Sequence, residues 1–356
     1  MIEKEEILNG IDRGINWVLN IQKENGCFHG DFIWHDGQAI RSLIYTYRRK
    51  KDEKLLNSAK KCGDFILSLQ NLDKNSKLYG TYETPAYTSR KQIAPSDIYE
   101  TLSGIIELYK ETNETKYIES AKLAADWIIK NLHSPGVIGQ VFDIEKWEHL
   151  NPLPIHDDAS FLMLYKETKE EKYLNTFIDQ IKVIIEKQDI NGNWFFPHYF
   201  YKEVRPVSGR SLYWLNYPLL EAYKFFRYNY IIPPLIRGID NILRNQLWDG
   251  SIRAGINTDG TFYGFGICEG NDGTATSMCS IILLDAYLLF YDEKYLTCAK
   301  RALRFILDNQ REDGQFYHSK IFKDNKWQPF QRDISTYFGI IALEKYIKVV
   351  LSKYNL

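Results

Sequence analysis

One phrase is written near both ends of the chain. Arg13–Phe28 reads RGINWVLNIQKENGCF and Arg301–Phe316 reads RALRFILDNQREDGQF, with Arg, an aromatic, an aliphatic, Gln, Gly and an aromatic at the same offsets. Further copies end at Gln70, Gln188 and Gln246, and Trp127–Leu132 carries Leu in the Gln place. The markers at 22, 70, 132, 188, 246 and 310 divide the 356 residues into six units. A repeat of this length is one supersecondary unit that cannot bury its apolar face alone, so neighbouring units must stack.

Each unit reads as two helices. Ile118–Asn131 (IESAKLAADWIIKN) is amphipathic at helical spacing, so it keeps one face in solvent. Ser277–Phe290 (SMCSIILLDAYLLF) is apolar around its circumference, the pattern of a buried helix. Short turns of near-identical sequence (ETNETKYIES, ETKEEKYLNT, YDEKYLTCAK) lead from the apolar helix to its amphipathic partner, and much longer loops lead on to the next. Six such alternations predict an all-α chain, an (α/α)6 toroid with an inner and an outer ring of helices. An open solenoid of helix pairs is the competing arrangement. The long loops, and a chain that stops at six units, favour the closed ring. No low-complexity linker or composition shift interrupts the units, so residues 1–356 are expected to form a single domain.

The apolar helices begin directly after the long loops, so their first residues share one face. These starts carry Asp36, Asp97, the pair Asp157–Asp158, Asp272 and Asp333, and Arg210 at the remaining one. Asp is a preferred helix cap, and Asp97 with Glu100 has the spacing of a capping box. A helix needs one cap, so the Asp157–Asp158 pair leaves a carboxylate to face the cavity. Close carboxylates drive each other's pKa apart, which supplies an acid and a base at one pH. Glycosidic-bond hydrolysis needs such a pair. Asp157 or Asp158 is the expected acid, with Asp97 or Asp272 as base. On this reading Asp158→Asn removes activity and leaves stability within about 1 kcal/mol.

Substrate contacts are expected from His35, Asp36, His198, Tyr199, Arg210, Glu269 and Asp333, with Trp34, Trp194 and Trp214 stacking on sugar faces. Aromatic rings crowd the loop NGNWFFPHYFYKEVRP in particular. The same loop supports a second chemistry, a lyase or uronate C5-epimerase. There Tyr199, Tyr201 or His198 abstracts a proton while Arg205 and Arg210 neutralise a carboxylate. A terpenoid-cyclase-like toroid and a non-catalytic binding toroid complete the alternatives, since ring faces also stabilise cations.

Lys+Arg 45 against Asp+Glu 46 argues against a nucleic-acid partner. The acidic start MIEKEEILNGI is unlike a secretory leader, and the apolar runs read as too short for a bilayer. Five cysteines at irregular spacing, without CxxC, suggest reduced thiols and a cytoplasmic location. No cofactor and no metal is called for. The expected partner is an oligosaccharide or another small molecule, with no nucleic acid and no membrane.

The Gln-x3-Gly-x-Trp/Phe phrase resembles the QW motif of terpenoid-cyclase and prenyltransferase toroids. The T-x-E/D-x-K-Y-L/I-x-x-A turns resemble those of the six-hairpin glycosidase-like superfamily. Both resemblances are at the level of fold and extend over nearly the whole chain. The D-x-D-D of class II terpene cyclases is absent, because Ile155 stands where its first Asp belongs. The adjacent acids of IHDDA resemble the Asp pair of some six-hairpin α-mannanases. Unsaturated glucuronyl and rhamnogalacturonyl hydrolases are similar in carrying an Asp acid/base at an inner-helix start. The resemblance implies hydrolysis of a carbohydrate.

Overall fold

The structure, a computed structural model, describes residues 2–198, 201–206, 209–253, 271–323, 326–330 and 332–351. Its α-helices in chain order are α1 (Lys4–Ile21), α2 (Ile33–Lys50), α3 (Glu53–Ser68), the single turn α4 (Pro85–Thr88), α5 (Pro95–Thr112), α6 (Thr115–Lys130) and α7 (Ser160–Thr168). They continue with α8 (Glu171–Glu186), α9 (Gly209–Phe226), α10 (Ile232–Arg244), α11 (Gly273–Phe290), α12 (Glu293–Asp308) and α13 (Ile334–Tyr346). The long loops add short antiparallel pairings, of which Val137–Asp143 with Glu148–Pro154 is the longest. The chain packs as two compact units, one of residues 1–20, 187–196 and 205–356, the other of residues 21–186 and 197–204.

Buried and half-exposed helices alternate. In α11 every residue from Gly273 to Ala286 is buried, whereas its partner α12 alternates buried Leu296, Ala299 and Leu303 with exposed residues. By length and apolarity alone α11 matches a membrane span, yet 78% of it is buried inside the protein. Its apolar circumference comes from packing against other helices.

The repeated phrases are lateral fasteners between amphipathic helices. In the second unit Gln22 Nε2 donates to the carbonyls of Gly26 (2.8 Å) and of Ser58 on α3 (2.9 Å), and Gln70 does the same to Gly80 and to Ser120 on α6. In the first unit Gln246 donates to Gly250 and to Cys298 on α12. The glycine of the phrase lies flat on the next helix. Gly314 has φ +95, and a Cβ there would stand 2.2 Å from the carbonyl oxygen of Arg13. Only glycine combines that φ with that approach.

The short turns follow an equally local rule. The buried helices end in a left-handed residue at Lys51, Asn113, Lys169 and Tyr291. After Asn113 and Lys169 a K-Y pair follows and reaches back to the preceding amphipathic helix. Tyr117 and Lys116 bind Asp64, and Tyr173 and Lys172 bind Asp126. The two ends of the chain meet through the same device, because Gln310 Nε2 donates to the carbonyls of Gly314 and of Gly10 on α1. Helix α1 therefore takes the place that a next repeat would fill, which an open solenoid does not provide.

Candidate active site

The second unit gathers acids at the starts of α5 and α7. Helices α2 and α5 touch backbone to backbone, since a Cβ on Gly104 would lie 2.2 Å from the carbonyl oxygen of Gly37. That approach sets Gln38 and Arg41 of α2 against the acids. Asp158 accepts from Arg41 Nη1 at 2.7 Å, Ser103 Oγ at 2.7 Å and Gln38 Nε2 at 3.0 Å, and it is buried. Gln38 also donates to Glu100 Oε1 at 3.3 Å.

Asp157 has different surroundings. Its backbone is left-handed at φ +73, an uncommon conformation for a residue with a side chain and one often found at functional sites. Its Oδ2 lies 3.2 Å from His156 Nε2, and its buried Oδ1 has no hydrogen-bond partner among the described residues. Burial pushes its pKa well above the ordinary 3.8, and the charges of Asp158 and Asp97 push in the same direction. Glu100 is also driven well up, by burial first and then by the charges of Asp157, Asp158 and Asp97, against the pull of Arg41. Asp97 accepts from Tyr87 Oη at 3.0 Å. Burial raises it to about 7, with hydrogen bonds from Tyr87 and Ser96 holding it back. The site therefore sets a carboxyl whose proton affinity is raised well above the ordinary range beside one that titrates at about 7.

Capping explains less than the sequence suggested. The cap residue of α5 is Ala94, with no side-chain cap, so Asp97 and Glu100 do not form a capping box. The cap residue of α7 is Ala159, also without a side-chain cap, and neither Asp157 nor Asp158 fills that role. Asp272 does cap α11, through Ala275 N at 3.0 Å, and is also held by Arg210 Nε at 2.8 Å. The Arg210 Nη2 lies 3.1 Å from His318 Nε2, whose ring is held on its other side by Thr274. Asp36 is a loop anchor: its two oxygens accept from the backbone amides of Phe28, His29 and Gly30. Asp333 accepts from Tyr337 Oη at 3.2 Å.

Several expected substrate contacts are corrected by burial. Trp194 is 0% exposed, and beside Gln188 it belongs to the core of its repeat with no face for a sugar. His35 is also fully buried, packed on Trp34 at 3.9 Å between ring centres. Trp34 and Trp214 are half-buried. His198 ends the strand Phe195–His198, while Tyr199 and Glu269 lie outside the described residues. The expectation that Asp158→Asn leaves stability unchanged also fails, since it would leave the Arg41 guanidinium buried beside a neutral amide. Gln38, Arg41 and Ser103 were missed by sequence reasoning. Their available signal was polarity at positions that helical spacing places on the buried faces of α2 and α5, where polar groups require partners.

No family model matches the sequence, and no curated protein matches it. Solved structures do. Cellobiose 2-epimerase from Bacillus thermoamylovorans B4167 aligns with a TM-score of 0.78 at 16% identity, over 97% of this chain and 99% of that one. The fold is an (α/α)6 toroid. An unsaturated glucuronyl hydrolase specific for heparin shares this toroid with a TM-score of 0.70 at 12% identity, over 99% of each chain. The unsaturated glucuronyl hydrolase of Streptococcus agalactiae gives 0.69 at 15%, over 97% of this chain and 93% of its own. At these identities the toroid is what the proteins have in common.

Proposed function

We propose that this toroid is a carbohydrate-active enzyme, a glycoside hydrolase in which Asp157 is the acid and Asp97 the base. What supports hydrolysis is the pair itself. Asp157 and Asp97 come from the starts of two buried helices, and the charge of Asp97 acts on Asp157. One holds its proton well above the usual carboxylate range, while the other titrates at about 7. In the step proposed, the Asp157 proton passes to the glycosidic oxygen and the electron pair of the breaking C–O bond goes to that oxygen. Asp97 takes a proton from the water that attacks the sugar carbon. The substrate is an oligosaccharide with acidic or mannose-type units, and the two glucuronyl hydrolases with this fold favour unsaturated uronides as the first candidates. The described cysteines Cys27, Cys62, Cys279 and Cys298 are free thiols, which suits a cytoplasmic enzyme.

Sugar epimerisation is the second reading, favoured by the likeness to a cellobiose 2-epimerase. A single incubation with an oligosaccharide panel that includes unsaturated uronides separates these chemistries. New reducing ends with falling enol-ether absorbance identify a glycuronyl hydrolase, and new reducing ends alone an ordinary glycosidase. Rising absorbance identifies a lyase. An unchanged reducing-end count with a new epimer on chromatography replaces hydrolysis with epimerisation.

A further inference from the structure

His156 stands between two oxygens of different kinds. Its Nδ1 lies 3.0 Å from the carbonyl oxygen of Pro154, which can only accept, so Nδ1 carries a hydrogen. In a neutral ring this leaves Nε2 as an acceptor, 3.2 Å from Asp157 Oδ2. A hydrogen bond across that gap requires a proton, either on the carboxyl with a neutral ring or on an imidazolium facing a carboxylate. The Asp157 oxygen that points elsewhere, Oδ1, is buried and has no partner among the described residues. The surroundings are acidic: Asp97 and Glu100 act on this cluster from α5 and Asp158 from the next position, while Arg41 of α2 is held by Asp158. If Asp157 gave up a proton unaided, another anion would be left among these carboxyls.

We propose that His156 is a positioning residue that shares a proton with Asp157 across the Nε2···Oδ2 contact, so that Asp157 stays neutral while its Oδ1 delivers a proton to the substrate. The proposal rests on the hydrolase reading. In the loaded state Nδ1, Nε2 and Oδ1 each carry a hydrogen. The Oδ1 hydrogen moves to the leaving oxygen, which takes the electron pair of the C–O bond. The Nε2 hydrogen moves to Oδ2, and the imidazolium becomes a neutral imidazole still bonded to Pro154. Before the next turnover Oδ2 returns the shared hydrogen to Nε2, and the proton that Asp97 took from the attacking water is released to solvent while solvent water reloads Oδ1.

The chain has seven histidines, so ring-nitrogen NMR of 15N-histidine-labelled protein can follow His156, assigned by its loss in His156→Gln. The Nδ1-protonated form is expected throughout. Its titration midpoint is expected to fall by at least about one pH unit in Asp157→Asn, because an amide cannot return a proton to Nε2. His156→Gln keeps a hydrogen-bonding group of similar reach but cannot change protonation state. It is expected to lower kcat at least about tenfold with KM within about twofold, and to move the basic limb of the pH profile. Equal midpoints in wild type and Asp157→Asn, or a wild-type pH profile and kcat in His156→Gln, overturn the relay and leave the hydrolase reading standing. Full activity in Asp157→Asn overturns the hydrolase reading itself. Because the NMR arm needs no substrate, the two failures are told apart.

Discussion

Replacing Asp97 by Asn tests the electrostatics of the site without a known substrate. The carboxyl of Asp97 has its pKa raised from 3.8 to about 7, chiefly by burial. The folded protein therefore holds this proton over a pH range in which the unfolded chain has released it. The sign follows from proton binding: where the native state binds more protons, stability falls as pH rises. Nothing is lost below about pH 4, and the full cost is present above about pH 7. At about 1.4 kcal/mol per pH unit the bound is about 4 kcal/mol, of which about 2.5 kcal/mol falls between pH 5 and pH 7. Side-chain relaxation and water reduce this, so about 1–2 kcal/mol is the expected size. Asn carries no such burden and still offers an oxygen to the Tyr87 hydroxyl. Urea unfolding of both proteins at pH 5 and pH 8 should show the variant gaining about 1–2 kcal/mol relative to wild type between the two. Relief of Asp157 and Glu100, which feel the Asp97 charge, adds in the same direction. A difference that stays constant with pH to within about 0.5 kcal/mol would refute the assignment of Asp97 as the group poised near neutrality.

Other variants separate chemistry from structure. Asp157→Asn should lower kcat/KM by at least about a hundredfold while leaving the thermal midpoint within a few degrees, since it removes a proton donor and no ion pair. Asp158→Asn should instead cost about 3–5 kcal/mol in chemical denaturation, because it strands the buried Arg41 guanidinium. Gly314→Ala should cost more than about 2 kcal/mol, since its Cβ would need φ +95 and would collide with the Arg13 carbonyl. Gln246→Ala removes the donor to the Gly250 and Cys298 carbonyls and should cost about 1–2 kcal/mol, read from the urea midpoint.

Much of the fold was legible because its fasteners are written locally. Gln and Gly stand four residues apart in the phrases ending at Gly26, Gly250 and Gly314, and the K-Y of each short turn sits one turn into the next helix. Helical periodicity separated buried from amphipathic helices for a similar reason: burial on one face or all round is a property of a short window. The site was legible only as a set of acids at helix starts. Asp36, Asp97, Asp158 and Asp272 look alike in sequence, yet one anchors a loop, one titrates near neutrality, one is locked in an ion pair and one caps a helix.

The sequence by itself determined the number of hairpins, their order and the residues that clip each to the next, because those interactions depend on spacing within a repeat. Only the tertiary structure decided which carboxyl is left to do chemistry. Asp158 is quenched by Arg41, 117 residues away, and by Gln38, 120 residues away, once Gly37 and Gly104 let α2 and α5 close together. Asp157, one residue earlier, has no arginine or lysine bonded to it among the described residues and faces His156 instead. Its proton affinity is set first by burial, then by the charge of its neighbour Asp158 and of Asp97 on α5; the burial and the approach of α5 are tertiary facts that no local pattern in the chain encodes.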